Sequence, residues 1–264
     1  MNILLKLSFL GTNYSGFQVQ KNALTVQEQL QDAVETVFGY RCPLTGCGRT
    51  DSGVHAKEYY CTINITDAPN KIPFGSITNA LNHHLPADIS ISEATAVSDL
   101  FHPRYDVSRK EYLYLIWNER YPNPFFTDRA YHYAKPLDCE KMNKSASGFI
   151  GRHDFTAFMA AGSSVTDTIR EIYYARVIRE NSFVKIIISG NGFLYNMIRI
   201  ISGTLIYISE GKIPTDAIPR IIEQKSRRAA GFTVPAHGLY LNRVVYKTDA
   251  SKRKKDDNEK KHSE

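Results

Sequence analysis

An α+β fold, with helices laid over a largely antiparallel sheet, is what this sequence predicts. Alternating apolar runs of strand length recur along the chain, amphipathic helical segments are interleaved with them, and one pair of runs is spaced as a hairpin. The 264 residues, 42% of them hydrophobic, suit one large domain or two ordinary ones. A chain of that length buries roughly 70–75% of its extended surface and needs no disulfide or metal to hold its core.

Ile3–Leu10 reads as a buried strand, closed by the turn-rich Gly11-Thr12-Asn13-Tyr14-Ser15-Gly16. Thr25-Val26-Gln27-Glu28 has the form of a capping box. Val26, Leu30, Ala33, Val34, Val37 and Phe38 then fall on one helical face, and Gly39 supplies the stop. Tyr59, Cys61, Ile63 and Ile65 alternate with polar positions as a half-buried strand. A glycine-containing loop, 48–56, leads into it. A helix over Gly75–Leu85 and a strand over Ile89–Ala94 complete the first half. The pattern then loosely recurs. Tyr112–Trp117 reads as a strand and Asp138–Phe149 as a helix ending at Gly151. Glu171–Arg179 and Ser182–Ser189 read as a hairpin turning near Glu180-Asn181. Helices are expected over Phe193–Ser209 and Thr215–Arg228, and a last strand over Tyr240–Tyr246. The expected division is 1–105, 106–247 and a charged tail, 248–264. From Ser251 onward the tail has no apolar residue to bury and is expected to be disordered.

Lys plus Arg exceed Asp plus Glu by 33 to 27, a mild excess that favours a polyanionic partner over an acidic one. Cys42, Cys47, Cys61 and Cys139 form no CxxC pair and no zinc spacing. No apolar run reaches membrane-spanning length, and the N-terminus lacks the pattern of a secretory leader. A cytoplasmic protein is expected, and no dinucleotide-binding glycine pattern or P-loop is present.

The candidate for chemistry is Asp51, in Gly48-Arg49-Thr50-Asp51-Ser52-Gly53-Val54-His55-Ala56. Asp before Ser-Gly is an ordinary turn composition. An ionised carboxylate kept charged by an arginine can equally serve as nucleophile or general base. Spacing alone leaves both readings open. His55 and His153 have no partners at metal-ligand spacing and suit structural hydrogen bonding.

That nine-residue segment resembles the catalytic signature of the TruA family of tRNA pseudouridine synthases. Other segments match in the family's order: Tyr14–Gln20 with Thr25–Gln27, Leu85–Ile89, Phe101–Tyr105, Lys110–Tyr114, Gly151–Phe155, Phe193–Arg199 and Gly238–Leu241. They cover the chain to about Tyr246. Phe17 stands where Trp is common, and Pro103 where Ala is usual.

The resemblance implies the pseudouridine synthase fold, two similar halves with the active-site cleft between them. It implies cofactor-free isomerisation of uridine to pseudouridine in the anticodon stem-loop of tRNA, by a homodimer with one tRNA spanning both subunits. Asp51 is carried over as the catalytic carboxylate, Tyr112 as the aromatic stacked on the target uracil, and Arg199 as the cation paired with Asp51. Arg49 is suited to help extrude the uridine from its stack. Arg104, Arg109 and Lys110 are candidates for phosphate contact, and Leu194 and Met197 for the pocket wall or core. A catalytically silent tRNA-binding protein on the same fold would lack the carboxylate. A glycosidic-bond hydrolase would need a second one, for which Asp154 is the available residue.

Overall fold

The computed structural model describes residues 1–163 and 165–247; the charged tail lies outside the described residues. The described residues form two compact units, one of residues 1–108 with 243–247, the other of Arg109–Asn242. Six of the strand pairs within the units are antiparallel and one, in the second, is parallel. With five α-helices among the described residues, the architecture is the α+β class that the apolar periodicities predict.

In the first unit, β1 (Asn2–Phe9) lies between β3 (His55–Asn64) and β4 (Ile89–Val97), with Leu5 opposite Cys61 on one side and Ala94 on the other. The short β2 (Leu44–Gly46) pairs with β3. Ile3, Leu5, Leu7 and Phe9 share one face of β1 and are fully or almost fully buried. On the opposite face Leu4 packs with Val97 and Phe101, covered by Tyr60 and Tyr246. The helices are α1 (Val26–Phe38) and α2 (Ile77–His84). The six apolar residues read as one face of α1 are the six it buries. Thr25 caps it by accepting from the Glu28 N–H at 3.3 Å. Gly39 ends it at φ 80°, in the left-handed region where only glycine pays no Cβ penalty.

In the second unit, β5 (Val107–Trp117) pairs with β9 (Phe183–Gly190), which pairs with β8 (Ile169–Glu180), which pairs with β7 (Gly151–Asp154). The two-residue β6 (Tyr131–His132) runs parallel to β5. The hairpin β8–β9 turns at Asn181, φ 52°. Asp138 caps α3 (Cys139–Ala146) by accepting from the Lys141 N–H. Also present are α4 (Met197–Ser209) and α5 (Ile218–Gln224). The unit boundary falls inside β10 (Leu239–Tyr246).

Several boundaries differ from the periodicity. Residues 193–196 are not helical: Asn196 sits at φ 58° and α4 starts at Met197. Leu194 and Met197 are both buried, which mimics a helical face. Lys225, at φ 51°, ends α5 early, before a 3-10 turn at Arg227–Ala229. The first turn read into α2 is a 3-10 turn, and so is the last turn read into α3. β5 begins five residues earlier than its apolar pattern, because Arg109, Lys110 and Glu111 hide the alternation.

Replacing Thr25 by Ala removes the cap and leaves the Glu28 amide without its acceptor. The expected loss is about 1–2 kcal/mol of stability, seen as a lower urea midpoint with unchanged slope.

Candidate active site

Residues 47–54 connect β2 to β3 and carry Asp51. The loop is pinned where it leaves β2. The Cys47 N–H donates to the Tyr60 carbonyl at 2.8 Å, and the buried Tyr59 hydroxyl donates to the Gly48 carbonyl. Val54 N–H donates to the Asp51 carbonyl at 3.2 Å, closing a tight turn over Ser52 and Gly53.

What seats this turn is the segment after β1. Gly53 N–H and the Ser52 hydroxyl both donate to the Tyr14 carbonyl, at 3.2 and 3.4 Å. Tyr14 is itself fixed, its hydroxyl donating to Asp88 at 2.6 Å. Burial, and then the Asp88 carboxylate, push that phenol above its ordinary pKa. Gly16, at φ 89°, runs so close that a Cβ there would lie 2.3 Å from the Thr50 carbonyl oxygen. One on Gly11 would lie 2.0 Å from that of Val54. The Gly11 N–H donates to Nδ1 of the fully buried His55 at 2.9 Å, so His55 Nδ1 is the unprotonated nitrogen. Asp51 is half-buried on this seat, while Arg49 on the same loop is exposed.

Tyr112 and Arg199 belong to the second unit. Tyr112 lies on β5 opposite Ile188, half-buried, with Phe193 edge-on at 5.1 Å and 83°. Two residues on, Tyr114 is wholly buried and donates to the Pro235 carbonyl at 2.8 Å. Burial raises its pKa well above the ordinary phenol value, against a smaller opposing effect of Arg199.

Arg199 stands in the first turn of α4. Its Nε donates to the Val234 carbonyl at 2.7 Å and its Nη1 to the Asn196 side-chain oxygen at 2.6 Å. The segment that supplies Val234 presses on the helix backbone: a Cβ on Gly203 would meet the Phe232 carbonyl oxygen at 1.9 Å. Thr204 fastens it by accepting from the Gly231 N–H at 2.8 Å. The guanidinium plane is therefore set by partners on two segments. Leu194 and Met197 are buried in the core.

Asp154 has a different setting. Its carboxylate pairs with Lys225 at 2.8 Å and accepts from the hydroxyls of Thr156 and Thr168 at 2.6 and 2.7 Å. Those partners, Lys225 first, hold it well below the usual carboxylate range. It is an ionised structural anchor with its acceptor sites occupied. His153 Nε2 lies 2.9 Å from the Ile150 carbonyl. Among the described residues, no group of three or more His, Cys, Asp or Glu is placed to hold a metal. A pocket of about 230 Å³ in the second unit, lined by Trp117, Phe126, Tyr131 and His237 among others, includes none of Asp51, Tyr112, Arg199 or Arg49.

Comparison with known proteins decides the family. A family model described as tRNA pseudouridine synthase matches residues 7–106 and 146–247. The chain belongs to that family. Three relatives, each called tRNA pseudouridine synthase A, are similar over nearly their full lengths. The one from Thermoanaerobacter sp. (strain X514) is 46% identical over 93% of this chain and 99% of its own. Those from Acetivibrio thermocellus and Bacillus licheniformis are 45% and 42% identical at the same coverage. Among solved structures, a chain of a Cbf5-Nop10-Gar1 complex aligns with TM-score 0.34 and 12% identity over 90% of this chain and 57% of its own; that likeness carries no argument. As a family member, the protein is a tRNA-modifying isomerase.

The seat of the Asp51 loop was not visible in its own motif. Its sequence trace is the pair of glycines around Tyr14, whose spacing says only that a turn is there. The partners of Arg199, Asn196 and Val234, left no trace in the periodicity.

Gly16→Ala forces a left-handed residue against the Thr50 carbonyl. A stability loss of about 1–3 kcal/mol is expected in urea titration, with slower pseudouridine formation in the folded fraction. Asp154→Asn is expected to be less stable than the parent at pH 7. Because the folded pKa is depressed, the carboxylate's contribution is fully present above the unfolded value, about 3.9. It is lost as pH falls below that. The difference between the two proteins should therefore narrow below about pH 4, read from urea midpoints across a pH series.

Proposed function

We propose that this isomerase converts uridine to pseudouridine in the anticodon stem-loop of tRNA, with Asp51 as the carboxylate that acts on the nucleotide. The observation that carries the reading is the seat of Asp51: a half-buried carboxylate on a loop gripped through backbone contacts, in a chain of this family. A fixed anion is what the chemistry requires. The bond from uracil N1 to ribose C1′ breaks, the base turns, and C5 bonds to C1′. The proton leaves C5 and N1 gains one, so substrate and product are isomers. Attack on C1′, addition to uracil C6 and removal of a ribose proton each call for an ionised carboxylate held at the nucleoside.

Arg199 is the proposed partner that keeps Asp51 ionised, since a nearby cation favours the charged carboxylate. Its fixed Nε and Nη1 support that role, because a pre-oriented guanidinium loses less freedom on pairing. Tyr112 is proposed to stack on the uracil, which its half-buried ring, braced by Phe193, suits. Arg49, exposed beside Asp51, is placed to fill the gap left by the extruded base, offsetting part of a cost of a few kcal/mol. The reading needs no cofactor. A homodimer engaging one tRNA through both subunits, working in the cytoplasm, completes it. None of the four cysteines is joined in a disulfide, which agrees with a reducing compartment, and no helix among the described residues is long and apolar enough to cross a membrane.

With unmodified tRNA carrying tritium at uridine C5, the wild type should release tritium and Asp51→Ala should not. No release from wild type, or undiminished release from Asp51→Ala, would overturn the assignment. Free uracil in solution would mark a hydrolase instead. Arg199→Lys should keep tRNA affinity while slowing turnover; lost affinity would argue against a place beside Asp51.

A further inference from the structure

Between β4 and β5 the first unit raises a short tip, His102-Pro103-Arg104-Tyr105, in which Pro103 is buried while Arg104 and Tyr105 are exposed. Tyr105 is 68% exposed. A single exposed aromatic is ordinary, but this one is built into place. The His102 ring lies against it at 4.3 Å, and the Arg104 guanidinium is 5.7 Å from its centroid. The backbone beneath is fixed by short-range bonds. His102 N–H donates to the Asp106 carboxylate at 2.8 Å, and His102 Nδ1 accepts from the N–H groups of Arg104 and Tyr105 at 3.1 and 3.4 Å. From below, the Tyr246 hydroxyl donates to the Pro103 carbonyl at 2.9 Å, and the buried Phe101 packs on the Tyr246 ring at 5.1 Å.

We propose that this tip is an RNA-contact site outside the catalytic loop. Tyr105 stacks on an unpaired base of the tRNA, and Arg104 takes the adjoining phosphate. The inference rests on the reading of tRNA as substrate. A largely exposed aromatic ring beside an exposed guanidinium matches a nucleotide, which offers a π face and an anion within one residue's reach. An acidic peptide would use the arginine and leave the ring idle; an apolar partner would have to desolvate the arginine. The fixed backbone lowers the ordering cost of binding. The mild positive charge of the chain, +6, favours the same class of partner.

The test is binding of an unmodified tRNA transcript to the full chain, with tritium release measured in parallel. Tyr105→Ala should weaken binding roughly 5- to 150-fold, the range for losing one base–aromatic stack, with the loss falling in KM rather than kcat. Tyr105→Phe, which keeps the ring and loses only the hydroxyl, should bind like the wild type. Arg104→Ala should lower the slope of log affinity against log salt by about one phosphate contact. Unchanged affinity in Tyr105→Ala, or equal damage in Tyr105→Phe, overturns the stacking site. These outcomes are read against a wild type that releases tritium; a wild type that does not release it sinks the tRNA reading itself.

Discussion

The first unit depends on one close approach: the backbone of Gly11–Gly16 lying directly on the backbone of the loop that carries Asp51. Side chains cannot sit between the two segments, since a Cβ on Gly16 or Gly11 would lie within 2.3 Å of a carbonyl oxygen. The contact lets the Tyr14 carbonyl accept from Ser52 and Gly53. Tyr14 in turn reaches Asp88, and His55 holds the Gly11 amide, so the loop is tied to both flanking strands of β1. The carboxylate proposed as catalytic would need such anchoring, because misplacement by about an ångström can cost a hundredfold in rate.

The second unit meets a similar requirement by another route. Arg199 is aimed by accepting groups on two segments, one just before α4 and one that crosses it at Gly203. Burying a guanidinium without acceptors would be costly. Here the Val234 carbonyl and the Asn196 side chain supply them, and the left-handed backbone at Asn196 places that side chain. Asp154 shows the contrasting case. Its carboxylate is equally well held, but by a lysine and two hydroxyls that occupy it fully, which suits an anchor and not a reagent.

Elements with a strong period and a chemical stop were legible before any coordinates. The helix α1 carries a cap, a single apolar face and a terminal glycine, and its ends agree to the residue. Where burial was shared by unlike conformations, periodicity misled: Leu194 and Met197 face one core from a turn and a helix respectively. Strands of two to four residues, β2, β6 and β7, carry too few side chains to show an alternation. The polar start of β5 was hidden because Ser108, Arg109, Lys110 and Glu111 are exposed or charged.

By itself the sequence determined the α+β class, the β8–β9 hairpin and, through an ordered set of motifs, the tRNA pseudouridine synthase family. Those depend on local chemistry and on residue order, which a linear string records. Only the tertiary structure decided what grips the Asp51 loop, which groups orient Arg199, and that Tyr105 stands exposed on a braced tip. Each depends on segments 25 to 40 or so residues apart, or on the chain's last strand, coming within hydrogen-bonding distance. Such approaches are set by the packing of the whole unit, and two glycines or one asparagine in a string do not announce them.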